Sequence, residues 1–221
     1  MGWLGDFVEA HTVEVLAGMT ALGGALSQAA QWVWAQWQVQ KKEDETSKAE
    51  ATLAIQGELQ RIPDETASLR AFLVKLERRE LQGHPEDFHY YLTVVQEARA
   101  AGVEPISPFW QNIRVPDSYI QALLRPLLDG KQVLHVDRES LGFGEVRDQW
   151  IVSGVHSSSL FVVYRNPSAE ELWYVVIHHA VPSSLYLDEA EDEETSVTTT
   201  RTRHTMAMAS GRIASLVQEI R

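Results

Sequence analysis

A chain of 221 residues can hold one or two domains and bury a core of ordinary size, so its length makes no demand for disulfide or metal staples. It contains no cysteine, which excludes structural disulfides, Cys-ligated zinc, iron–sulfur clusters, thiolate catalysis and thioether-linked bilins. The formal charge of -12 argues against nucleic acid as a partner, because neutralising phosphates requires clustered Lys and Arg.

From Val15 to Gln40 no residue is charged. At about 1.5 Å per residue a helix of that length exceeds the roughly 30 Å hydrocarbon core of a bilayer. Small residues Ala17, Gly18, Ala21, Gly24, Ala25 and Ala29 recur at helix-packing spacing and would let two such helices approach closely, so a homodimer is expected. Trp32, Trp34 and Trp37 precede Lys41 and Lys42, the order of aromatic rings at headgroup level followed by a basic flank. Against spanning stand Ser27, Gln28, Gln31 and Gln36, each needing a polar partner in lipid. The expectation over residues 1–40 is a single transmembrane anchor; a soluble packing helix and an interfacial helix are the alternatives. Asp6, Glu9 and Glu14 lie before the anchor and no Lys or Arg does, which places the N-terminus outside and the rest in the cytoplasm, with an entirely cytoplasmic protein as the alternative.

Residues 41–63 read as a polar helical linker. Gln38 to Arg61 is rich in good helix formers, and its apolar residues Val39, Leu53, Ile55 and Leu59 sustain no heptad. Pro63 is expected to stop the helix and mark a domain boundary, leaving 64–221 as the main domain.

Beyond it, β-branched and aromatic residues between turn signals predict strands over Ser68–Arg78, His89–Val95, Gln132–Val136, Ser159–Arg165 and Leu172–Ala180, with helical stretches at Gln96–Ala101, Asp117–Leu128, Gly144–Ser153 and Thr202–Ile220. Two strands are apolar on both sides. Phe72, Val74 and Leu76 alternate with Leu69, Ala71 and Leu73, while Trp173, Val175 and Ile177 alternate with Leu172, Tyr174 and Val176. Such strands must be central and covered on each face, which predicts an α+β domain with helices on both sides of one sheet. The closing helix carries Met206, Ser210, Ile213, Val217 and Ile220 at three-to-four spacing and must dock one face, on the sheet, on the linker or in a dimer seam. The acidic run Asp188, Glu189, Glu191, Asp192, Glu193 and Glu194 reads as a solvated loop.

The strands Leu69–Leu76 and Tyr90–Val95 are followed by Gly102-Val103-Glu104-Pro105-Ile106 and Trp110-Gln111-Asn112-Ile113. Then come a helix, the turn Gly154-Val155-His156-Ser157-Ser158 into Leu160–Tyr164, and a last strand ending Trp173-Tyr174-Val175-Val176-Ile177-His178-His179. In this order and in these motifs the chain resembles the GAF-like sensory domains of membrane-tethered bacterial and phage proteins. It departs from them in carrying Tyr174 where a small residue usually follows the strand tryptophan. The resemblance implies a GAF-like antiparallel sheet of about five strands, helices on both faces, and a pocket between the sheet and the cover running from Trp110 to Trp150. Trp110, Arg114, Tyr119, Arg147, Trp150 and His178 are its candidate lining residues.

The remaining constellations carry little chemistry. His178 and His179 are adjacent in a strand, point to opposite faces and cannot share a metal ion. His84-Pro85-Glu86-Asp87 with His89 reads as a hairpin turn, and Ser157, Ser158 and Ser159 lack a nucleophile-elbow context. Gly142-Phe143-Gly144 is too short for a phosphate loop. The expected function is a non-enzymatic sensory module without cofactor or metal, binding a small molecule or a protein; the alternative is a dimerising protein whose GAF-like fold binds no ligand.

Overall fold

The computed structural model describes residues 3–66, 68–81, 84–142, 144–168, 170–183 and 193–221. The chain divides into two compact units, Met1–Lys48 and Ala49–Arg221. Helix α1 runs Trp3–Glu65 and supplies the first unit and the start of the second. Among the described residues no helix is long and apolar enough to cross a membrane, which corrects the expectation of a single-pass anchor and removes the basis for its orientation. The reason lies in composition. Freedom from charge is not enough when five glutamines, a serine and three glycines dilute the apolar residues of 15–40. The rings of Trp34 and Trp37 are exposed, with the Lys41 ammonium over Trp37 at 5.5 Å; the side chain of Trp32 lies outside the described set.

The second unit is built on a six-stranded sheet in the order β3-β2-β1-β6-β5-β4, every neighbouring pair antiparallel. Its strands are β1 (Ser68–Leu81), β2 (His84–Arg99), β3 (Ile113–Arg114), β4 (Val133–Asp137), β5 (Ser157–Asn166) and β6 (Glu171–His179). β1 and β6 are central, as their two apolar faces require. Phe72, Val74, Leu76, Leu172, Tyr174 and Val176 face one layer. It comprises α2 (Asp117–Tyr119), a π-helical turn Ile120–Leu124, α3 (Arg125–Leu128) and α4 (Glu145–Val152), with Leu123, Leu124, Leu127 and Trp150 packed down onto the sheet. Ala71, Leu73, Trp173, Val175 and Ile177 face the other layer, made by the end of α1 and by α5 (Glu193–Ile220).

Several local expectations change. Gln96–Ala101 is not helical. β2 runs on to Arg99 in register with Arg70–Leu73, so pairing along a central strand overrides the helix preference of Gln96, Glu97 and Ala98. The linker is not solvated throughout: Ile55, Leu59 and Ile62 are fully buried at spacings of four and three, enough for a docking face. Pro63 stands in the last turn and the helix ends at Glu65, where Thr66 bonds the Ile62 carbonyl through its amide (2.9 Å) and its hydroxyl (2.6 Å). The Asp117–Leu128 helix is interrupted by the π turn, immediately before Pro126, which has no N–H to give the Ala122 carbonyl. His84–Asp87 and His89, expected in a hairpin turn, are strand, since β2 begins at His84; residues 82–83, Phe143 and most of the acidic run lie outside the described residues, and Glu193 and Glu194 open α5.

Of the open alternatives for the closing helix, α5 takes two. It covers the sheet through Met206, Ala209, Ile213 and Val217, and it meets α1 through Arg212 Nε on Glu58 Oε2 (3.0 Å) and Thr205 Oγ1 donating to Glu65 Oε2 (3.2 Å).

Candidate functional site

The face under α2–α4 is apolar along most of its length and turns polar at one end. In the register of the sheet Arg70 of β1 lies opposite His178 of β6, and His178 opposite Ser158 of β5. All three share the parity of the apolar rows Phe72–Val74, Tyr174–Val176 and Leu160, so the row stands on the covered face. A register shift between Ser68 and Arg70 bulges β1 next to it, a common way of aiming a side chain at a site. Arg70 is 4% exposed and Ser158 1%. Arg70 Nε and Nη1, His178 Nδ1 and Ser158 Oγ have no hydrogen-bond partner among the described residues. Buried polar groups are ordinarily satisfied, and each one left unmade costs about 1–3 kcal/mol.

Arg70 and His178 line a cleft of about 520 Å³. Its walls are Ile106, Trp110, Tyr119, Trp150 and Val155; Asp148, Gln149 and Ser153 stand at its α4 side. The Trp150 ring tilts over His178 with centroids 5.8 Å apart, Phe72 meets the same imidazole edge-on at 5.0 Å, and Trp110 meets Tyr119 at 6.2 Å. A cavity of about 200 Å³ shares Trp110, Tyr119 and Gln149 with the cleft and adds Arg114.

The loop carrying Ile106 and Trp110 is pinned to the sheet by Glu97 of β2. Its carboxylate accepts the amides of Ile106 (3.0 Å) and Ser107 (2.9 Å) and lies 3.6 Å from Arg70 Nη1, with both side chains of the ion pair buried. Gln111 donates to the Val94 carbonyl (2.7 Å), and the Trp110 carbonyl accepts the Val94 amide (2.8 Å). Gly102 opens the loop at φ +81°, a conformation that side chains resist. On the far side Gly154, at φ +68°, turns the chain out of α4, and Val155 bonds back to the Trp150 carbonyl (2.8 Å). Arg165 of β5 caps the end of α3 by donating to Leu127 O (2.7 Å) and Leu128 O (3.2 Å), which holds that layer on the sheet.

Electrostatically the floor holds one cation beside a neutral ring. Burial, reinforced by the Arg70 charge and by His179, pushes His178 down to about 3. Burial also works against the Arg70 charge, with Glu97 supporting it; a guanidinium nevertheless stays protonated. Burial drives the Tyr119 phenol upward and does the same to Tyr174, whose hydroxyl has no partner among the described residues.

Of the residues expected at the pocket, Trp110, Tyr119, Trp150 and His178 come together in the cleft. Arg114 lines the smaller cavity, and Arg147 lines neither. Arg70 and Ser158 were not anticipated; Arg70 carries a readable signal, a charge two positions before Phe72 in a row otherwise apolar. His179 points to the opposite layer, where its Nε2 lies 3.5 Å from Ser159 Oγ and His135 Nδ1 lies 2.8 Å from the same hydroxyl. The Ser157–Ser159 run is strand, with Ser157 donating to the Val181 carbonyl (2.6 Å). Among the described residues no group of His, Cys, Asp or Glu is placed to hold a metal ion.

This sheet order and its two covering layers make Ala49–Arg221 an α+β domain, one antiparallel sheet with helices on both faces, the architecture the GAF-like resemblance implies. No protein-family model matches the sequence, and no curated protein matches it. Among solved structures the chain is similar to the GAF domain region of a Geobacter sulfurreducens protein, at 11% identity and TM-score 0.48 over 80% of this chain and 98% of that one. It is similar also to the blue-light absorbing form of the PixJ GAF domain of Thermosynechococcus elongatus, at 12% identity and TM-score 0.42 over 79% and 93%. The phycoerythrobilin-bound GAF domain of a cyanobacterial phytochrome follows at 16% identity and TM-score 0.40 over 80% and 95%. Likenesses of this size say nothing about what this chain binds.

Proposed function

We propose that Ala49–Arg221 is a non-enzymatic sensory module that takes a small molecule into the cleft between the sheet and the α2–α4 layer. The observation that carries this reading is the pair of buried polar side chains with unpartnered atoms, Arg70 and His178, lining an aromatic-walled cavity of about 520 Å³, the combination of apolar walls and a few convergent polar anchors that marks a ligand site. His178 stands beside a cation rather than a carboxylate, an arrangement suited to holding a ligand and not to activating a nucleophile. The same strands couple the cleft to the other layer: Arg70 and His178 face the ligand side, while their neighbours Ala71 and Ile177 pack under α1 and α5. A ligand that shifts β1 against β6 therefore reaches those helices.

Thermal-shift measurements on the full chain against a panel of small metabolites test the reading. A binder raises Tm, and Trp150→Ala removes that rise. No stabilisation by any compound contradicts it.

A second reading, a dimerising protein whose fold binds nothing, draws support from Leu53 and Met208, which expose apolar side chains on α1 and α5. It expects a dimeric mass in solution that is indifferent to every compound in the panel.

A further inference from the structure

The ligand's chemistry follows from what the floor lacks. Arg70 cannot shed its charge, and its one counter-ion is shared: the Glu97 oxygens already accept two loop amides and stand 3.6 Å from Nη1, beyond hydrogen-bond range. Nε and Nη1 thus remain two unmet charged donors beside the cleft. His178, which lines the cleft beside Arg70 in the same cross-strand row, adds a ring nitrogen, with adjacent strands about 4.8 Å apart. Unmet donors of a buried cation call for an oxyanion, since charge-assisted bonds of this kind are about twice as strong as neutral ones. The walls above the row are mostly indole, phenol and aliphatic surface, with Asp148, Gln149 and Ser153 confined to the α4 side, and suit a flat apolar body.

The geometry points to a small organic anion as the occupant, its carboxylate or phosphate group on Arg70 and His178 and its planar body against Trp110, Tyr119 and Trp150. This inference rests on the reading of the cleft as a ligand site. A cationic group on the floor would instead face the Arg70 charge, which repels it.

Calorimetric titration of the full chain with 2-naphthoate, 2-naphthyl phosphate and the neutral 2-naphthamide provides the test. At least one anion should bind about tenfold or more tightly than the amide, and the better of the two identifies the headgroup. Arg70→Gln could unfold the domain by stranding Glu97, so it is paired with Glu97→Gln; this double variant should bind anion and amide within about threefold of each other. If the amide matches both anions on the wild-type chain, or if the preference survives in the double variant, the anion assignment is overturned while the cleft remains a ligand site. If none of the three binds, the assignment falls, and the metabolite panel decides whether the ligand reading falls with it.

Discussion

His178 and His179 are neighbours in the chain and occupy opposite layers, each held neutral by burial, at about 3 and about 4 against an ordinary 6.5. Below pH 6.5 the unfolded chain takes up protons that the folded one refuses, so the stability these rings permit is complete above that pH and declines as pH falls toward 4. The slope is at most about 1.4 kcal/mol per pH unit per histidine. Urea midpoints should drop steadily between pH 7 and 5, and His178→Gln should flatten that fall; a wild-type midpoint constant over this interval contradicts the burial. Glu97 carries a second prediction. Glu97→Ala leaves Arg70 buried without its counter-ion and should cost about 3–5 kcal/mol, with the Ile106 and Ser107 amides losing protection from hydrogen exchange. His178 was legible because alternation along β6 assigns it a face. The role of Glu97 was not, because it depends on a loop folding back across the strand that carries it.

Alternation was also what made the elements readable. Leu69–Leu76 and Leu172–Ala180 are apolar on both sides, and from that alone both covering layers follow. Two elements escaped the same logic. Val94 to Arg99 mixes Gln, Glu and Ala, good helix formers, and only its ladder with β1 makes it strand. Ile55, Leu59 and Ile62 are too few to register as an amphipathic pattern among so many polar neighbours, yet each is fully buried. The layer they share with α5 should be sensitive to truncation: Ile213→Ala at its centre should cost about 2–5 kcal/mol in urea unfolding, whereas Leu53→Ala on the exposed side of α1 should change little. The opposite layer has its own fastening, and Arg165→Ala, which uncaps α3, should cost about 1–2 kcal/mol.

For the molecule as a whole, the compact unit begins at Ala49 and not at the proline fourteen residues on, which as a helix breaker is the stronger signal in the sequence. A chain of residues 49–221 should unfold cooperatively, while one of residues 64–221, lacking Ile55, Leu59 and Ile62, should bind hydrophobic dyes and melt without a sharp transition. The location of the ligand is the claim on which the functional account stands. It is tested most directly by the indole N–H resonances of the tryptophans in the full chain, recorded with and without a compound that raises Tm. The account predicts that Trp110 and Trp150, in the cleft, shift strongly while Trp173, in the opposite layer, barely moves. A strong shift at Trp173 with Trp110 and Trp150 unmoved would contradict it.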